Sequence, residues 1–347
     1  MTTTTRDKTG GTAMPYPITL FTGQFTDLSL DEVAERASSW GYKGLELACW
    51  GGHFDVGRAL TDPGYCDAVH ETLDRHGLSC RVISTHFISQ AVCDDPIDER
   101  HRGVLPPGIW GDGEPEGVRR RAEEEVKHTA IAAAKFGAHI VVGFTGSPIF
   151  HMFAGWPPLP EGTIERGFED FRVRWSRIME VYRREGIRFA MEVHPGEIAY
   201  DYWTTKRMLD EMRDYPEFGV NFDPSHLHWQ GIDEGAFIRD FADRIYHVHC
   251  KDAITRMDGR NGILASHLHS GSLRRGWDFV SVGHGGVPFE AIVRSLHEIR
   301  YDGDLSVEWE DSGMARDRGA EEAYEFLERL NFEPSDVSWE ASLTQDR

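Results

Sequence analysis

One punctuation recurs along the chain: an amphipathic stretch with helical spacing of its apolar positions, a glycine near its end, then a short, mostly apolar run. It reads ASSWGYKGLELAC, TLDRHGLSCRVIST, AAAKFGAHIVVGF and YRREGIRFAMEVH. It continues in RDYPEFGVNFD, FADRIYHVHC (without the glycine) and IRYDGDLSVEWE, and PITLFTG opens the series. A glycine past the last helical turn supplies the left-handed cap, and the β-branched run after it suits a parallel strand buried on both faces. Eight strands result, with helices predicted over 30–40, 67–76, 118–136, 168–185, 204–214, 234–243, 289–300 and 320–330. Strict strand–helix alternation predicts an all-parallel sheet. Eight units in about 300 residues predict a closed (β/α)8 TIM barrel rather than an open doubly wound sheet. The first strand-to-helix turn, FTGQFTDLSL, also lacks the G-x-G-x-x-G of a dinucleotide-binding fold.

The connections are unequal. Those after strands three, four and seven are long, 86–117, 145–167 and 251–287, whereas helix-to-strand turns take a few residues. In a barrel the long ones emerge together at the C-terminal face, where active sites sit. They carry Trp110, Trp156 and Trp277, an aromatic content foreign to disordered loops, so they are expected to roof the mouth. Residues 17–332 read as a single domain between a disordered N-terminal tail, 1–16, and a C-terminal tail, 333–347.

Composition narrows the partners. The 58 acidic residues against 37 basic ones give a net charge of −21, which argues against a nucleic-acid binder and leaves a small-molecule substrate. The five cysteines have no repeating spacing, so neither a disulfide framework nor a C-x-x-C zinc site is expected. The polar start lacks the apolar core of a signal peptide and no apolar run approaches a membrane span, so the expectation is a cytoplasmic protein without a membrane partner.

The chemistry gathers at strand ends. Strand five ends in AMEVHPGE with Glu192 and His194; strand six in VNFDPSHLHWQG with Asp223, His226 and His228. Strand seven carries His247 and His249, two residues apart and therefore on one face, and strand eight carries Glu308 and Glu310. An acidic residue at a strand end is commonly a helix cap and a lone histidine commonly structural. Four consecutive strands that each bring a carboxylate or an imidazole to one ring are a different matter, because isolated buried charges cost several kcal/mol or more. A cation among two Glu, one Asp and one His resolves that cost, with Mn2+ or Mg2+ suiting the oxygen-rich donor set and Co2+ or Zn2+ as alternatives.

The motifs MEVHP, NFDPSH, HVHCKD and SVEWED resemble those of the xylose-isomerase-like barrels, the sugar phosphate isomerase/epimerase family, over about 18–330. The resemblance implies one divalent metal held by Glu192, Asp223, His249 and Glu308, with Glu310 as the alternative to Glu308. It gives Glu192 and Glu308 the proton transfers of enolisation, with His194 as an alternative base. This chain departs from the epimerase branch after Glu192, where Ile198 stands in place of a glutamate and Glu197 precedes it. His226, in the family's D-x-x-H pattern, is expected at substrate or metal, and His247 is expected to hold a ligand carboxylate in place. Asp252 is expected either to orient the site or to cap a loop. His53, His86, His151 and Trp156 are expected around the substrate. The length, metal motifs and long loops also resemble the catalytic subunits of C-glycoside deglycosidases, lyases that expel an aromatic aglycone from a 3-keto C-glycoside and work with a small second subunit. An abasic-site endonuclease shares the barrel, but the charge disfavours it, and a non-catalytic barrel would be expected to lose a ligand. Exposed aromatics on the loops offer a surface for a second subunit or a second copy.

Overall fold

The computed structural model describes residues 15–335, so most of both expected tails lies outside the described residues. Eight strands close into a barrel: β1 (Ile18–Phe21), β2 (Gly44–Ala48), β3 (Ser79–Ser84), β4 (Ile140–Gly143), β5 (Arg188–Glu192), β6 (Phe218–Phe222), β7 (Ile245–Cys250) and β8 (Leu305–Val307). Each pairs in parallel with its sequence neighbours, and β8 closes on β1 with Ile18 opposite Leu305. Tyr16, placed in the tail by the sequence reading, belongs to the barrel. It is buried, and its backbone exchanges hydrogen bonds with Asn331.

The outer helices are α1 (Leu30–Trp40), α2 (Tyr65–Arg75), α3 (Pro115–Phe136), α4 (Thr163–Glu185), α5 (Tyr202–Glu211), α6 (Glu234–Asp240), α7 (Phe289–Glu298) and α8 (Arg316–Leu330). Local chemistry sets their ends. Ser29 and Glu32 form a reciprocal capping box before α1, and Gly41 ends it in the left-handed region at φ 101°. No described helix is long and apolar enough to cross a membrane.

The apolar core is a shell between strands and helices, with Phe171, Trp175, Phe189 and Phe218 among its largest members. Val82, Val142 and Ala190 form a separate small cluster in the lumen. Two residues beyond them on β3 and β5 come Ser84 and Glu192, so the lumen turns from apolar to polar toward its C-terminal end.

The three long connections are structured. The first holds the short helices His86–Gln90, Glu99–Arg102 and Pro107–Trp110, and the second a single turn, Phe150–Met152. The third holds an antiparallel pair, Asp252–Thr255 with Trp277–Val280, so the barrel is all-parallel but the insertion is not. Trp110 departs from the expected roof: it packs against the core shell, and its carbonyl is held by Arg121 of α3.

The first two connections are locked together. Gly146, at φ 70°, lies against the Gln90 carbonyl and Asp94, where a Cβ would collide. Glu197 Oε2 accepts from the Thr145 and Gly146 amides at 2.7 and 2.6 Å, while Oε1 has no partner. Burial, with the Asp94 charge added, pushes the Glu197 carboxyl well above its ordinary range against the pull of those donors. A carboxyl that binds its proton more tightly when folded stabilises below its unfolded pKa, and that contribution falls as pH rises toward the folded value. Glu197→Gln, isosteric and unable to ionise, should therefore melt with the wild type near pH 4 and above it by roughly 2 °C at pH 8. A lower melting temperature at pH 8 would mean that the loops need the ionised carboxylate.

Candidate metal centre

The polar part of the lumen begins at Glu46, in the middle of β2 and 1% exposed. Four donors converge on its carboxylate: the Ser84 hydroxyl, the Ser306 hydroxyl at 2.6 Å, His247 Nε2 at 2.8 Å and His249 Nε2 at 3.0 Å. His247 thus holds a carboxylate, but that of Glu46 rather than one of the three carboxylates expected as ligands. Glu46 is not among the residues expected from the sequence, because it lies in the middle of a strand and not at its end. The signal was nevertheless present: an acidic residue in the centre of GLELA, a strand expected to be buried on both faces, needs compensation.

Above Glu46 lies the cluster. His249 turns Nδ1 to Glu192 Oε2 at 3.0 Å and Glu308 Oε2 at 3.1 Å. Both its nitrogens face carboxylates. Burial alone would favour the neutral ring, yet the Glu46 and Glu308 charges hold the imidazole well above its ordinary range. Positive charge is what this position demands. One donor atom each from Glu192, Asp223, His249 and Glu308 lie within 4.8 Å of one another, and all four residues are buried. Asp223 fills both roles open to it: Oδ1 caps the short helix Pro224–His228 through the Ser225 amide at 2.8 Å, while Oδ2 faces the cluster, 2.9 Å from Lys251 Nζ and 3.2 Å from His226 Nε2. Four buried donor atoms crowding one small volume, three of them carboxylate oxygens, fit a hard divalent cation.

The surrounding residues fix these groups. Glu192 Oε2 accepts from Asn221 Nδ2 at 3.1 Å and lies 3.1 Å from His86 Nε2. His226 Nε2 is 3.3 Å from Glu192 Oε1 and 3.2 Å from Asp223 Oδ2. Burial opposes ionisation of Glu192, but Lys251 and the donors His226, His249 and His86 hold its carboxyl well below the ordinary range. Past the end of β8 the parity argument allowed two glutamates, and the structure separates them. Glu308 is in the cluster, accepting from Gln24 Nε2 at 3.0 Å and Lys251 Nζ at 2.9 Å, whereas Glu310 is at the rim with 39% of its side chain exposed.

Other expected residues stand elsewhere. His194 is edge-on to His226 with ring centres 4.2 Å apart, and burial followed by the His226 charge presses it well below the usual histidine range, leaving it neutral. His53 is buried with Nε2 on the Leu28 carbonyl at 3.0 Å, because the turn after β2 folds it under the β1 connection rather than into the mouth. Asp252 collects the amides of Ala253, Gly283, Gly285 and Val287, so it pins the insertion and does not orient the cluster. His151 is exposed on the second connection, and Trp156, 83% exposed, projects into solvent. Aromatic walls come instead from Phe279, edge-on to His226, and from Trp277, stacked on Trp229 at 4.6 Å. A cavity of about 290 Å³ opens beside Glu310, lined also by Gln24, Phe279 and Trp309. A larger hollow of about 530 Å³ lies at the opposite end of the barrel, among Arg183, Arg188 and Arg300.

Residues 34–330 match the family model described as a xylose isomerase-like TIM barrel. Among curated proteins, the uncharacterized protein YfiH of Bacillus subtilis (strain 168) is 29% identical over 183 residues, 50% of this chain and 57% of YfiH. The rhizopine catabolism protein MocC of Rhizobium meliloti is 23% identical over 82% of this chain and 75% of MocC. Among solved structures, the probable 3-DHS dehydratase AsbF of Bacillus anthracis superposes with a TM-score of 0.64 at 18% identity, covering 91% of this chain and 99% of AsbF. The 3-keto-D-glucoside 4-epimerase YcjR of E. coli gives 0.63 at 15% identity, covering 90% and 99%. At these identities the structural likeness concerns the fold.

Proposed function

The chain belongs to the xylose isomerase-like TIM barrel family, and from that premise we propose that it is a divalent-metal-dependent enzyme which removes a proton from the carbon beside the carbonyl of a sugar or sugar-derived ketone. The observation that carries this reading is the set of four buried donor atoms, from Glu192, Asp223, His249 and Glu308, within 4.8 Å of one another. Mn2+ suits the donors best, ahead of Mg2+, Co2+ or Zn2+. When bound, the ion supplies Lewis-acid polarisation of the substrate carbonyl.

The chain's own groups do the rest. Glu192 and Glu308 lie on either side of His249 Nδ1 and are held by different partners, His86 and Asn221 for the first, Gln24 and Lys251 for the second. One takes the proton and the other returns it, the division of labour that isomerisation or epimerisation requires. His226, whose Nδ1 lacks a hydrogen-bond partner, is available to substrate hydroxyls, and the neutral His194 beside it is an alternative base. The Trp229–Trp277 stack and Phe279 favour a second reading in which an aromatic group is expelled after the same first step, as from a 3-keto C-glycoside.

The test is solvent exchange. The Mn2+-loaded protein in D2O, given ketoses, polyol ketones and 3-keto-glycosides, should erase the NMR signal of the proton beside the carbonyl in one class, and only with metal present. Absence of exchange in every class would contradict the proposal, and release of an aglycone would favour the second reading. Glu46 offers an independent check. Partners that orient a ligating histidine are worth roughly ten- to a hundredfold in metal affinity. Glu46→Gln, which exchanges an acceptor for a donor opposite His247 and His249, should weaken Mn2+ binding by that factor in a calorimetric titration.

A further inference from the structure

Lys251 is among the largest fully buried side chains of the protein, 2% exposed. Its ammonium is 2.9 Å from Asp223 Oδ2 and 2.9 Å from Glu308 Oε2. Glu192 Oε1 and Glu310 Oε1 are both at 3.9 Å. The ring of Phe279, from the inserted strand pair, covers it at 4.8 Å, a cation–π contact that shields the charge from solvent. A buried lysine is tolerated when paired, and here every charged partner belongs to the cluster or its rim. The oxygens it touches, Asp223 Oδ2 and Glu308 Oε2, lie on two of the residues that would hold the ion.

The charges add to a definite requirement. Glu192, Asp223 and Glu308 bring three negative charges, and His249 brings none when it ligates through Nδ1. Glu46 is served separately by its four donors. Lysine cancels one of the three, and the remaining two are what a divalent ion cancels.

We propose that Lys251 is a built-in monovalent counter-ion which shares Asp223 and Glu308 with the divalent ion, keeps the carboxylates together before the ion arrives, and holds its affinity below that of an uncompensated three-carboxylate site. The inference rests on the divalent-ion reading above. Lys251 is a positioning residue in this account. With both cations present the three ligand carboxylates are balanced, so negative charge developing on a substrate oxygen meets a weaker anionic field than it would without Lys251.

The test uses the full chain stripped of metal, in wild-type form and as Lys251→Met and Lys251→Gln, titrated with Mn2+ alone by calorimetry and melted with and without Mn2+. Removal of a like charge this close should tighten Mn2+ binding at least tenfold. The metal-free variants should melt below the wild type, and Mn2+ should raise their melting temperature more than it raises that of the wild type. A variant that folds only with Mn2+ present gives the same result in its extreme form. Unchanged or weaker binding by both variants, each folded by circular dichroism, would overturn the proposal and leave Lys251 a structural pin. Failure of the wild type itself to take up Mn2+ would overturn the divalent-ion reading and this inference with it.

Discussion

Glu192→Gln, assayed at saturating Mn2+, should slow solvent exchange at the carbon beside the substrate carbonyl by about 10²–10⁴-fold, the usual worth of a positioned general base. The substitution preserves shape and the acceptor oxygen facing Asn221 Nδ2, but removes the charge to which the proposal assigns proton transfer. Glu308→Gln should produce a loss of the same order, since its carboxylate flanks His249 Nδ1 from the other side at 3.1 Å. Saturating metal matters because each glutamate is also assigned to the ion; the titration that establishes saturation separates lost binding from lost proton transfer. Exchange unaffected by either change would remove both residues from the proton pathway and turn attention to His194.

The second large effect concerns the ion. Asp223→Asn leaves an acceptor for the Ser225 amide, so the cap of the Pro224–His228 helix survives while the charge at Oδ2 is lost. Partners one step removed from a metal are worth ten- to a hundredfold, so a direct anionic ligand should be worth more, on the order of a thousandfold in Mn2+ affinity. Calorimetric titration reads this directly, and circular dichroism should be unchanged. An affinity within tenfold of the wild type would place the ion elsewhere.

Much of this was legible in the sequence, for reasons particular residues make plain. Gly41, Gly137 and Gly186 end helices in the left-handed region and sit ahead of β-rich runs, which is why the strand–helix alternation could be counted. Element ends were less legible. Helix α4 starts at Thr163 rather than 168, and α8 at Arg316 rather than 320, where Gly319 reads as a break but packs against Trp309 and Ser281. The inserted pair Asp252–Thr255 and Trp277–Val280 was hidden because its strands are short and some twenty residues apart.

At the site, strand parity selected the inward faces and the cost of burying charge marked strands five to eight as converging on a cation, while the set Glu192, Asp223, His249 and Glu308 was what the family resemblance implied. The choice between Glu308 and Glu310 turns on depth along the strand, which parity does not encode. The directions of His53 and Asp252 were set by backbone partners far away in sequence, Leu28 for one and 283–287 for the other. Glu46 and Lys251 were in plain view, but the role of each exists only through residues that other strands supply.

The central claim is that a cation draws Glu192, Asp223, His249 and Glu308 together at the mouth of the barrel. Crystals of the protein grown with Mn2+ and measured at the manganese absorption edge test it most directly. The account predicts one strong anomalous peak within coordination distance of all four side chains, with Glu46 still bonded to the far nitrogen of His249. A peak on other residues, or fully occupied density for the four side chains with no peak among them, would contradict it.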